Sequence, residues 1–79
     1  MTPTQCRMAR AALGWSLKDL ARHADLSIST INTFEKEDPE RQIHKTSVVA
    51  VRIAIEGSGE IQFVTDQGVF YLKKNPNVK

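Results

Sequence analysis

Seventy-nine residues are enough for one small domain and too few for two. With 41% apolar residues the chain can bury a modest core, and 11 basic against 9 acidic side chains leave a formal charge of +2, compatible with nucleic acid but no proof of it. A single cysteine, Cys6, excludes an internal disulfide. No apolar run approaches the ~20 residues of a membrane span and no signal-peptide core opens the chain, so the expectation is a soluble cytoplasmic protein with no membrane partner.

The first helix is expected to begin at Thr2-Pro3-Thr4-Gln5. Thr2 serves as N-cap, Pro3 as the favoured first helical residue, and Gln5 as the return half of a capping box. Cys6, Ala9 and Leu13 follow at three- to four-residue spacing and mark the buried face. Gly14 suits the position just past the helix end, and Trp15 in the connector reads as an aromatic plug over the helix junction.

Residues 16–35 read as two short helices joined by a tight turn. Ser16 caps the first, with Asp19 completing a capping box, and Leu20, Ala21 and Ala24 give it an apolar face. The turn falls at His23-Ala24-Asp25-Leu26, where Asp is one of the few non-glycine residues that tolerate a left-handed backbone. Ser27 caps the second helix. Ile31 and Phe34 face inward, which leaves Ser29, Asn32 and Thr33 outside.

Lys36 to Lys45 contain Pro39, are polar and lack a period, so they form a loop anchored by Ile43. Thr46 or Ser47 is expected to cap a fourth helix over residues 47–56. Val48, Val51 and Ile55 form its stripe, and Val49 and Ile53 widen the apolar face enough for contact on two sides. Gly57-Ser58-Gly59 ends it. The period then changes. Residues 61–65 and Val69-Phe70-Tyr71-Leu72 read as a hairpin around Asp66-Gln67-Gly68, with Gly68 in the left-handed turn position. An isolated hairpin is marginal in water. Ile61, Phe63, Val69 and Tyr71 are therefore assigned to the helices. Val64, Phe70 and Leu72 are left as a face for a second subunit or another partner. Residues 74–79 read as a frayed tail.

The run Trp15-Ser16-Leu17-Lys18-Asp19-Leu20-Ala21, then Asp25-Leu26-Ser27, then Thr30-Ile31 and Phe34-Glu35 resembles the helix-turn-helix of the lambda-repressor/Cro-like (XRE-type) DNA-binding domains. The resemblance extends over about residues 4–72. Leu17 stands where the family usually has a Gln that touches a phosphate, and Asp25 where it usually has Gly. The resemblance implies a mainly α fold: a four-helix domain over residues 1–59 with a C-terminal β-hairpin over 60–73. It implies base reading by Ile28, Ser29 and Thr33, to which the adjacent Asn32 is added. It also implies that Arg10 and Glu35 form a structural ion pair.

A helix of this length fits the major groove, where Asn can bond adenine bidentately, Ser and Thr bond either base type, and Ile or a Thr methyl touches thymine. Helix starts near Ser16 and Ser27 suit phosphates, with Lys18, Lys36, Arg41 and Lys45 as side-chain candidates. The plainer reading of each is a solvated surface group. One Cys and two His, His23 and His44, lie in no metal-ligand spacing, and Cys6 on an apolar stripe is a small core hydrophobe. His23 reads as a solvated side chain. No enzymatic chemistry and no cofactor are expected. The sequence reading is a repressor-type DNA-binding regulator of bacterial or phage origin that acts as a homodimer on its operator. The alternatives are the antitoxin of a toxin–antitoxin pair and a protein–protein module without DNA binding.

Overall fold

Among the described residues, three of the four helices begin on a hydroxyl placed one residue ahead of them. The computed structural model describes residues 1–37, 40–64 and 68–72. Its elements are α1 (Pro3–Leu13), α2 (Leu17–Ala24), α3 (Ile28–Glu35), α4 (Lys45–Glu56), β1 (Ile61–Val64) and β2 (Gly68–Tyr71). Thr2, Ser16 and Ser27 hold extended backbone, and their side-chain oxygens accept the amides of Gln5 (3.1 Å), Asp19 (3.0 Å) and Thr30 (3.1 Å). Gln5 and Asp19 return the bond to the amides of Thr2 and Ser16, at 2.8 and 2.9 Å, closing two capping boxes. Two left-handed residues stop α1 and α2: Gly14 at φ 71° and Asp25 at φ 57°. Asp25 tolerates that conformation because its short polar side chain costs less there than a bulky one.

The α4 start differs from the sequence expectation. The helix begins at Lys45, and Thr46 and Ser47 lie inside its first turn instead of capping it. His44 takes the cap position without a side-chain bond; its carbonyl accepts the amides of Ser47 and Val48 at 3.0 and 3.2 Å. Those two bonds close a backbone turn ahead of Thr46 and Ser47, so the helix starts before either hydroxyl can cap it.

All four helices and β1 supply the core: Cys6 and Ala9 from α1, Leu20, Ala21 and Ala24 from α2, Ile31 from α3, Val51 and Ile55 from α4, and Ile61 from β1. Leu20, Ile31, Val51 and Ile55 are fully enclosed, each worth about 1.5–3 kcal/mol of burial. Within this arrangement α2 packs on both α3 and α4, and α1 packs on α3, α4 and β2.

The two strands are antiparallel, with Ile61 opposite Tyr71 and Phe63 opposite Val69 on one face, and Gln62 opposite Phe70 on the other. Ile61 is buried, and Phe63 and Val69 are partly buried against the core. Tyr71 departs from its expected place over the helices. It is exposed, and its hydroxyl donates to Glu60 Oε1 at 3.1 Å, because a phenol at the hairpin's open end finds a partner more readily at the rim. Gly68 also differs from expectation: it pairs with Val64 as the first residue of β2 instead of lying in the turn. Its carbonyl accepts Gln5 Nε2 at 2.9 Å. The turn expected at Asp66-Gln67 lies outside the described residues, as does the tail.

Gln5 is thus a fully buried polar residue that closes the α1 cap and ties α1 to the hairpin. Gln5→Ala is expected to cost about 1–3 kcal/mol, because it leaves the Gly68 carbonyl and the Thr2 amide short of a partner. Urea unfolding measures this; a loss under about 0.5 kcal/mol, the range of an ordinary surface change, would show that the tie is incidental.

Candidate nucleic-acid interface

Eight residues make α3, so each side chain's direction follows from 100° steps along it. Ile31 is completely enclosed and Phe34 partly so, and together they fix the inward side. Ser29, Asn32 and Thr33 come round on the other, and Ile28, in the first turn, stands at its edge about 60° from Ile31. Ile28 and Ser29 are exposed, whereas Asn32 and Thr33 are half-buried. Thr33 lies at the border of that side, where it lines an open cleft of about 350 Å³ with Pro3, Phe34, Arg41, Ile43 and Val48.

The two serine-capped helix starts differ in charge. At the start of α2 the Asp19 carboxylate accepts the Ser16 amide, and the backbone and hydroxyl bonds from Ser16 hold its pKa below the usual carboxylate range. A phosphate arriving at Ser16 meets that negative charge. The first turn of α3 holds no acid, and Ser27 Oγ lies 2.8 Å from Thr30 Oγ1, so its positive dipole end carries no such opposing charge.

The candidate cations are spread over several elements. Lys18 is exposed in the first turn of α2, and Lys36 is exposed just after α3. Arg41 is exposed in the following connection, where it shares the cleft with Thr33, and Lys45 is exposed as the first residue of α4. Val64, Phe70 and Leu72 lie at the far end of the chain on the hairpin. Val64 is half-buried, Phe70 is 59% exposed and Leu72 is 47% exposed.

Behind α3 stands an ionic anchor. Arg10 places Nε 2.9 Å from Glu35 Oε2 and Nη2 2.8 Å from Oε1, a two-pronged pair in which Glu35 is only 7% exposed. Arg10 Nη1 also donates to the Trp15 carbonyl at 3.1 Å. The bond to Glu35 raises the Arg10 pKa further. Cys6 is buried, as a core thiol should be, but it also donates Sγ–H to Glu35 Oε2 at 3.2 Å. Burial first, and then Glu35, push this thiol far above its ordinary value, so it stays a neutral donor.

Arg7 was not singled out from the sequence. Its guanidinium donates to the Glu35 carbonyl and reaches Glu37 Oε2 at 3.3 Å. The available signal was its place one turn before Arg10, on the same side of α1. Trp15 is partly buried against the core, but its ring also stacks on His23, with centroids 4.2 Å apart and planes at 6°. His23 is therefore exposed without being simply solvated.

Among the described residues no group of three or more His, Cys, Asp or Glu side chains is placed to hold a metal ion. Among the same residues no helix is long and apolar enough to cross a membrane. No protein-family model matches the chain, and no curated protein and no solved structure is significantly similar to it.

Removing Arg10 strands a buried carboxylate. Arg10→Met is expected to cost about 3 kcal/mol, the low end for a broken buried pair because Arg10 itself is 22% exposed. The double variant Arg10→Met/Glu35→Met should recover most of that loss. Denaturant unfolding of the three proteins decides it; a single variant no less stable than the double one would mean that the pair behaves as an exposed one.

Proposed function

We propose that the chain is a sequence-specific regulator that binds double-stranded DNA, of the lambda-repressor/Cro-like kind, and acts by covering its operator as a dimer. In this reading α2 and α3 form the helix-turn-helix and α3 lies in the major groove. The observation that carries it is the two-sided build of α3. Its inner side is pinned by Ile31 and the Arg10–Glu35 pair, and its outer side offers Ile28, Ser29, Asn32 and Thr33 with no acidic group in its first turn.

The roles divide by chemistry. Asn32 supplies the donor–acceptor pair that matches adenine, Ser29 and Thr33 bond either base type, and Ile28 meets a thymine methyl. The amides at the start of α3 near Ser27, with Lys18, Lys36 and Arg41, grip phosphates on either side. Ser16 is the weaker phosphate site, because Asp19 already occupies it.

A second reading is favoured by one observation, the exposed apolar pair Phe70 and Leu72 on the hairpin. An antitoxin-type chain would use such a face for a toxin, and a protein–protein module would use it without touching DNA. Salt separates these readings, because phosphate contacts release counterions and an apolar contact does not.

The test starts from duplexes selected by the protein out of a randomised pool. Affinity for the selected duplex should fall about forty-fold per copy between 50 and 200 mM salt if three cations meet phosphates. Alanine at Ser29, Asn32 or Thr33 should reduce discrimination between the selected and a scrambled duplex by about 1–3 kcal/mol per good contact. Salt-insensitive binding, or three alanine variants that discriminate as well as the parent, would overturn the assignment.

A further inference from the structure

The most exposed large apolar side chains of the helices are not on α3. They are Val49, 53% exposed, and Ile53, 62% exposed, on the side of α4 that faces away from buried Val51 and Ile55. Lys45, Val49, Arg52 and Glu56 follow at 4-3-4 spacing with Ile53 alongside, so all five fall within one stripe of the twelve-residue helix. The stripe runs from the cation Lys45 through two aliphatic residues, with Arg52 between them, to the anion Glu56.

Those end charges oppose the helix that carries them. A helix favours anions at its start and cations at its end, yet α4 opens on Lys45, closes on Glu56, and has no acid in its first turn and no base in its last. Its start also lacks a side-chain cap. An antiparallel copy of the same stripe corrects both ends at once. Val49 then faces the partner's Ile53, Lys45 faces the partner's Glu56, and each helix start meets the other's end. The pattern is complementary to itself under a two-fold axis, as a closed symmetric dimer requires. A hollow beside Ile53, lined also by Trp15, His23 and Ala54, extends the apolar surface.

We infer that the exposed stripe of α4 pairs antiparallel with the same stripe of a second copy of this chain, and that Lys45 serves this contact and not a phosphate. Arg52 stays with its own chain, held 3.2 Å from Glu56 Oε2 and over the Phe63 ring. Three helical turns cover less than the ~800 Å² per partner of a standard interface, so the dimer forms reversibly with concentration. The pairing supplies the twin contact that operator occupancy needs. It is measured without any duplex, so the two proposals fail separately.

Sedimentation velocity of the full chain over a wide micromolar range tests it, with circular dichroism to verify folding. The parent should shift from monomer to dimer as concentration rises. Val49→Asp and Ile53→Asp, both at exposed positions, should weaken dimerisation about tenfold or more and match the parent's melting curve at concentrations where the parent is monomeric. Phe70→Asp should sediment like the parent. Lys45→Glu should weaken the dimer, and adding Glu56→Lys should restore it. A parent that stays monomeric, a dimer lost with Phe70→Asp instead, or a charge swap that fails to rescue would each overturn the proposal.

Discussion

Glu35 is the residue on which the arrangement of the helices depends. It ends α3, it is buried, and α1 engages it three times: Arg10 grips the carboxylate with two nitrogens, Cys6 donates to it, and Arg7 takes its carbonyl. Burying a carboxylate is costly unless its lone pairs are filled, and here the fork and the thiol fill them. An apolar substitute could pack as tightly, so the pair's value lies in direction more than in stability. A carboxylate that accepts bonds from fixed positions on α1 sets how far α3 can rotate or slide. Ile31 alone, held by non-directional packing, could not set that.

Through that anchor α1 becomes the element that joins the others. Gln5 ties its first turn to the hairpin at Gly68, Cys6 and Ala9 enter the core, and Arg10 holds both α3 and the Trp15 carbonyl. The proposed reading helix and the hairpin are thus registered to the same eleven-residue helix. A rigid support of this kind matters for a short helix, since base discrimination needs donors placed to within fractions of an ångström and α3 has barely two turns of its own.

What was legible in the sequence was mostly local. The caps at Thr2, Ser16 and Ser27, the stops at Gly14 and Asp25, and the strand alternation at Ile61 and Phe63 are each decided within a few residues, so a residue's identity and its neighbours are enough. The misplaced hairpin features depended on distant partners. The role of Gly68 follows from Gln5, sixty-three positions away. Tyr71 alternates with its neighbours as a buried residue would, but the hairpin's open end leaves it beside Glu60. At the candidate site, the polar residues of α3 were visible as types. That Thr33 borders a cleft is a fact of packing that spacing does not carry, whereas the Ser16–Asp19 capping box that fills the start of α2 was readable from it.

The exposed surface then divides by chemistry. On α3 the outer residues apart from Ile28 are small and hydrogen-bonding, a poor surface for a protein partner because each group left unmatched in a dry interface is penalised. On α4 and the hairpin the exposed residues include the large apolar Val49, Ile53 and Phe70, which contribute nothing to a phosphate backbone. Were Ile53 and Phe70 both solvated in the working state, this 79-residue chain would forgo burial where it has least to spare. Ion-pair complementarity distinguishes the two apolar faces. The α4 stripe ends in opposite charges set against its own helix dipole, and in the proposed dimer an inverted copy brings Lys45 beside the partner's Glu56, which already accepts Arg52 of its own chain. The hairpin face ends near the Tyr71–Glu60 bond, and its described residues carry no such pair of end charges. A wet polar face on α3 and a self-complementary face on α4 can therefore be used at the same time, because neither needs the residues of the other.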